Sequence, residues 1–272
     1  MDINDLVREF DEKGITYDVP DFYDQLAFTR EEEKDVDYLN NYSKFVALRS
    51  YSPEYLENAR LIINKVTNQL YTALLSTGRK GACIDISNIL VRMLEKQGIW
   101  CTTLKGSCVV DFSSESVVPK ANFYSITERE DCTPGHFWVY APPFDVIDIS
   151  IGEQEYSNSQ TPFKPHFIIV ENPPVSDFTA SDVISPTIYE NFKLNGFNEQ
   201  GMLDYTCTAL KDMNKVFDCV EVEAENGSKI KYIPTATHAS VEKLEGFGNM
   251  DFNGRKPSEF YSEVIEPSLQ PA

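Results

Sequence analysis

Gly135-His136-Phe137-Trp138-Val139-Tyr140, the break Ala141-Pro142-Pro143, and Phe144-Asp145-Val146-Ile147-Asp148-Ile149 read as two antiparallel strands and their turn. If Ala141–Pro143 is the loop, Tyr140 faces Phe144, Trp138 faces Val146 and His136 faces Asp148 on one side of the sheet. Directly opposed residues have Cβ atoms about 5 Å apart. A carboxylate at that distance holds one imidazole nitrogen and leaves the other free as a base. A slip of one residue would turn Asp148 to the opposite face and dissolve the pair. The bland alternative is an ordinary polar pair across a hairpin.

Upstream, Gly78-Arg79-Lys80-Gly81-Ala82 leads into a predicted helix from about Cys83 to Gln97, with Ile86, Ile89, Leu90, Met93 and Leu94 as its apolar stripe and Gly98 at its end. The unpaired amides and dipole of a helix start favour an anion, so a thiol at Cys83 is expected to ionise readily, with Arg79 and Lys80 adding positive charge. Cys83 also lies in line with the stripe and projects toward the sheet. A thiol so placed, facing a His–Asp pair, has what a cysteine nucleophile needs.

Before it, Ser52-Pro53-Glu54 signals a helix start, and Leu56, Ala59, Leu61, Ile62, Val66, Leu70 and Leu74 recur at helical spacing until Gly78. Residues 1–50 are charge-rich, with an amphipathic stretch at Ile3–Phe10 and an acidic run at Glu31–Asp37 that reads as a solvated helix face. After Gly98, strand-like runs fall at Thr102–Leu104, Ser107–Phe112, His136–Tyr140, Val146–Ile149 and Phe167–Val170. A hairpin is predicted from Val216–Ala224 to Lys229–Ile233 through Asn226-Gly227, and the tail after Gly246 is expected to be loosely held. Helices first and strands after imply an α+β fold, with helices packed on an antiparallel sheet. The division expected is an acidic extension at 1–50, a core at 51–170, and a C-terminal extension at 171–272 packed on that core.

The 272 residues carry a formal charge of -19, which repels phosphate backbones and anionic lipid and suits solubility or a basic protein partner. No apolar run is long enough to cross a bilayer, and Met1-Asp2-Ile3-Asn4-Asp5 is the wrong chemistry for a signal peptide, so a cytoplasmic home is expected. Six cysteines (83, 101, 108, 132, 207 and 219) are too sparse for a disulfide scaffold, so free thiols are expected. A rival constellation, zinc on Cys101, Cys108, Cys132 and His136, has spacings unlike those of common zinc modules. No phosphate loop, nucleotide fingerprint or HExxH occurs, so neither a cofactor nor a metal is expected. His166, at a strand edge, and His238, beyond the hairpin, are read as structural or surface residues.

Gly81-Ala82-Cys83, the helix Ile84–Leu94 with Gly98-Ile99, then Lys105-Gly106, Gly135-His136-Phe137-Trp138-Val139 and Ile147-Asp148 resemble the transglutaminase-like superfamily over about residues 53–150. The resemblance implies a papain-like core with N- and C-terminal additions, in which Cys83, His136 and Asp148 form a catalytic triad. Arg79-x-Gly81-x-Cys83 is also similar to the helix start of arylamine N-acetyltransferases, which share that core. Two departures stand out: the stretch between Cys108 and Cys132 is long and polar, and no residue declares itself as a second oxyanion donor. Gln69, Tyr71 and Trp138 are the candidates for that donor or for substrate contact. The expected activity is attack of a thiol on an amide or other acyl group through a thioester, as in a cysteine peptidase or amidase, on a protein or peptide substrate. The alternatives are a protein-glutamine acyltransferase or deamidase, and a non-catalytic binding module. Substrate identity and oligomeric state are not encoded in these motifs.

Overall fold

Ser52 caps the longest helix, its hydroxyl accepting from Tyr55 N at 3.1 Å, with Pro53 in the first turn where a missing N–H costs nothing. This helix ends at Gly78, which takes a left-handed conformation, φ 64°, that a glycine adopts without strain. The computed structural model describes residues 2–112, 117–128 and 134–270. In chain order the helices are α1 (Ile3–Lys13), α2 (Leu26–Glu32), α3 (Asn40–Leu48), α4 (Pro53–Thr77), α5 (Cys83–Glu95), after the first five strands α6 (Ala180–Val183), α7 (Pro186–Leu194), α8 (Glu199–Thr206) and α9 (Leu210–Met213), and after the last strand α10 (Pro257–Phe260) and α11 (Glu266–Leu269). The strands are β1 (Thr102–Asp111), β2 (Ala121–Phe123), β3 (His136–Ala141), β4 (Phe144–Asp148), β5 (Ile168–Val170), β6 (Val220–Glu223) and β7 (Lys229–His238).

The protein is α+β, and its strands form one antiparallel sheet in the order β5-β4-β3-β1-β7-β6. An isolated bridge from Val175 to Val220 brings the chain beyond β5 round to β6, so the sheet curls into a nearly closed barrel. The two runs expected at Thr102–Leu104 and Ser107–Phe112 are one strand, β1, with a register shift between Lys105 and Gly106. Both β2 and β3 pair with this strand, β2 at 108–110 and β3 at 102–106. They therefore lie one after the other along β1.

Outer-face residues Val139, Ala141, Ile147 and Ile149 pack against Leu70, Leu74, Ile86, Leu90 and Leu94 of α4 and α5. The inner face gathers Leu104, Cys108, Val110, Trp138, Val146, Ile230 and Tyr232. The tail is not loosely held: Leu244, Phe247, Met250, Phe252, Phe260, Tyr261 and Ile265 are buried in the outer core. Residues 1–50 likewise have a core, in which Phe10, Phe22, Phe28, Tyr42 and Phe45 pack with Trp100. Arg92 of α5 clamps them on, bonding Asp24 at 2.7 and 2.9 Å and Glu95 at 3.0 Å. The acidic run at 31–37 is solvent-facing at 33–37, but α2 stops at Glu32, so most of it is turn rather than helix. The Asn226-Gly227 hairpin forms, though β6 begins only at Val220 and β7 continues to His238.

Candidate active site

The β3–β4 corner fixes two of the three predicted residues. Its turn is Pro142-Pro143, with Ala141 already paired to Phe144 and Val139 paired to Ile147. The expected register, Trp138 opposite Val146, is thus corrected by two residues: one because Ala141 belongs to the strand and not to the loop, the other because the ladder shifts register between Val139 and Ala141. Continued along the strands, the observed register places Asp148 across from Trp138 rather than from His136. A shift of two preserves the side of the sheet, and the diagonal neighbours still meet: His136 Nε2 lies 2.6 Å from Asp148 Oδ2.

Asp148 is anchored from every side. Oδ2 also accepts from the Tyr232 hydroxyl at 2.9 Å, while Oδ1 accepts from Ser150 N and Ser150 Oγ, both at 3.0 Å. Sequence reasoning missed Tyr232 and Ser150. Tyr232 stands 84 residues away on β7, past the reach of local pattern. Ser150, two residues after the aspartate, is the kind of local hydroxyl and amide donor that a turn-reading of the strand end would find.

His136 is fully buried, which by itself pushes its proton affinity down; the Asp148 charge, its hydrogen bond and the neighbouring Cys83 thiol outweigh burial and raise the pKa to about 10. Nδ1, the nitrogen not used by Asp148, makes no hydrogen bond. Cys83 therefore lies beside the imidazole without a formed hydrogen bond to it. Phe123 and Trp138 flank the ring, with centroids at 5.6 and 6.5 Å.

Cys83 is the first residue of α5, whose Ala82 cap supplies no side-chain acceptor to the leading amides. The approach to it is tied to the exit from Asp148: Gly81 N donates to Glu153 O at 2.9 Å. The buried Glu153 carboxylate is held by Lys80 and by Lys164, the latter at 2.8 Å. Arg79 pairs with Asp85 at 2.5 Å. The two cations expected to act on the thiol are thus paired to carboxylates, a correction that leaves His136 as the charge beside Cys83.

Trp138, 1% exposed, packs on Tyr232 with centroids at 5.1 Å and backs the His–Asp pair from the inner core. Gln69 accepts from Ser268 Oγ at 3.3 Å, and Tyr71 packs on Phe167 at 4.7 Å. Among the described residues neither hydrogen-bonds to His136 or Asp148. Cys108 lies near Asp148 and Cys83, but burial pushes its thiol strongly up, as it does for Cys101. Cys132 lies outside the described residues, and among those described no group of three or more His, Cys, Asp or Glu side chains is arranged to hold a metal ion. His238 packs edge-on against Phe137 at 5.1 Å, and the carbonyl of His166 accepts from Gly152 N at 3.1 Å. No described helix is long and apolar enough to cross a membrane.

A pH dependence follows from the raised His136 pKa. Its folded value, about 10, lies above the ordinary 6.5, so its protonation stabilises the fold fully below pH 6.5 and that contribution is lost as pH rises through 10. The stability gap between the native chain and His136→Gln is expected to narrow steadily over that window in urea titrations. A constant gap would show that the imidazole is not charged in the folded protein.

No protein-family model, no curated protein and no solved structure matches this chain.

Proposed function

We propose that the protein is a thiol enzyme with a transglutaminase-like, papain-like core, acting on an amide or other acyl group through a covalent thioester. The observation that carries this reading is the 2.6 Å bond from Asp148 to His136 Nε2, with Nδ1 unpartnered and the Cys83 thiol beside the ring. In this mechanism His136 already holds the proton taken from Cys83, as its raised pKa fits, and the sulfur attacks the acyl carbon. The amides at the start of α5 face the developing oxyanion. His136 then gives its proton to the leaving amine, and the thioester forms as the C–N bond breaks. Water, deprotonated by His136, releases the acid and regenerates the thiol. Asp148 keeps the ring oriented throughout. Hydrolysis of a peptide or amide needs no second amine site, which favours a peptidase or amidase over a glutamine acyltransferase; a deamidase would use the same steps on a Gln side chain. The acidic surface suits a basic protein or peptide substrate.

One observation favours a second reading, a non-catalytic binding module. Cys83, His136 and Asp148 are only 7%, 0% and 1% exposed. Iodoacetamide at pH 6 with mass mapping separates the two. The enzyme reading expects Cys83 to be alkylated ahead of Cys101, Cys108, Cys207 and Cys219, and the preference to vanish in His136→Ala. Slow, uniform labelling of all thiols would overturn it and leave the binding module.

A further inference from the structure

The inner face of the curled sheet carries a cavity of about 320 Å³, lined in part by Trp138 and by Tyr232, whose hydroxyl bonds Asp148. Its walls include four aromatic side chains, Trp138, Tyr140, Phe217 and Tyr232, and two carboxylates, Asp145 and Asp218. Tyr140 and Phe217 meet edge-on at 5.2 Å, and Trp138 and Tyr232 tilt together at 5.1 Å. The rings are therefore held in place by one another.

The charges in this cavity are one-sided. Among the described residues no Lys, Arg or His lines it. Elsewhere on the surface carboxylates are commonly paired, as in Asp5 with Arg8 or Glu171 with Arg60, but among the described residues neither Asp145 nor Asp218 has a cationic partner. Asp145 accepts one bond, from Asn172 N at 2.7 Å. Burial, with Glu171 nearby, raises its pKa, as fits an acid set among apolar walls without a counter-ion.

We propose that this barrel mouth is a binding site for a small organic cation, an alkylammonium or quaternary ammonium group. Aromatic faces attract such a cation through their quadrupoles, and the two carboxylates supply the countercharge. Ring-lined pockets of this size at the mouth of a barrel are where small ligands seat. An anion is excluded by the carboxylates, and a neutral apolar ligand would leave them unpaired and desolvated. The site is independent of the thiol chemistry proposed above and stands whether or not that chemistry occurs.

The test is calorimetric titration of the full chain with choline and with its neutral isostere 3,3-dimethylbutan-1-ol, at low and at moderate salt. Choline is expected to bind at least about tenfold more tightly than the alcohol. Asp218→Asn, at an exposed position on the rim, should reduce that preference several-fold and flatten its salt dependence. Asp145→Asn should do the same from the inner wall. Equal binding of choline and the alcohol would reduce the feature to an apolar cavity and overturn the proposal. So would no choline binding at tens of millimolar, or an unchanged preference in both variants.

Discussion

Asp148→Asn is expected to lower the turnover of an activated ester such as p-nitrophenyl acetate by about 10³–10⁴-fold while leaving the fold intact. The asparagine oxygen still accepts from Ser150 N and Oγ, so the shape of the corner survives. Its amide group, however, then faces His136 Nε2 and presents a donor where the carboxylate presented an acceptor. The ring must offer a lone pair at Nε2 and carry its proton on Nδ1, which is the wrong tautomer for taking a proton from Cys83. Burial, now unopposed by the carboxylate, drives the His136 pKa down from about 10. Proton NMR of the imidazole follows that drop directly. If the titration midpoint moves but turnover does not, the pair is structural and the catalytic reading fails. Asp148→Ala is the harsher change: four hydrogen bonds go and Tyr232 is left with a buried unpaired hydroxyl.

Gly106→Ala has the largest expected effect on stability. A Cβ at this position would lie 2.0 Å from the Ile233 carbonyl oxygen, 2.8 Å from its carbon and 2.6 Å from Trp138 Cη2. Two of those atoms are backbone of β7, which approaches closely where the β1–β7 register shifts, and the third belongs to a fully buried ring. None can retreat without opening the sheet. A loss of about 3 kcal/mol or more in urea unfolding is expected, at the upper end of overpacking costs. Gly106 is also the cross-strand partner of His136, so the strain falls on the site as well. An unchanged unfolding midpoint would mean that β1 and β7 are not apposed in this way.

The ends of α4 and α5 are legible in the sequence because Ser52-Pro53, Gly78 and Gly98 are local signals that act through backbone geometry alone. The side of the sheet shared by His136 and Asp148 is legible for the same reason, since it depends only on alternation. Their register is not, because it turns on whether Ala141 pairs and on the register shift between Val139 and Ala141, and both are decided by the corner rather than by its composition. The cores of residues 1–50 and of the tail escape notice because they are built from aromatics dropped singly among charged, Gly and Asn residues. Phe10, Phe22 and Phe28 follow no single helical spacing and meet only through tertiary folding. Tyr232 and Glu153, which brace the site, are set by contacts between strands and loops far apart in the chain.

The enclosure of Cys83 makes it a clock. A thiol with little access to solvent reacts only while the surrounding structure is open, just as a protected amide exchanges only during opening. Alkylating reagents of graded bulk would each sample openings of a different width. The fall in rate from one to the next, corrected for intrinsic reactivity, then measures the free energy of admitting a larger guest, about 1.4 kcal/mol for each tenfold. Where that series breaks off is the largest acyl compound the resting protein can receive without help from a partner.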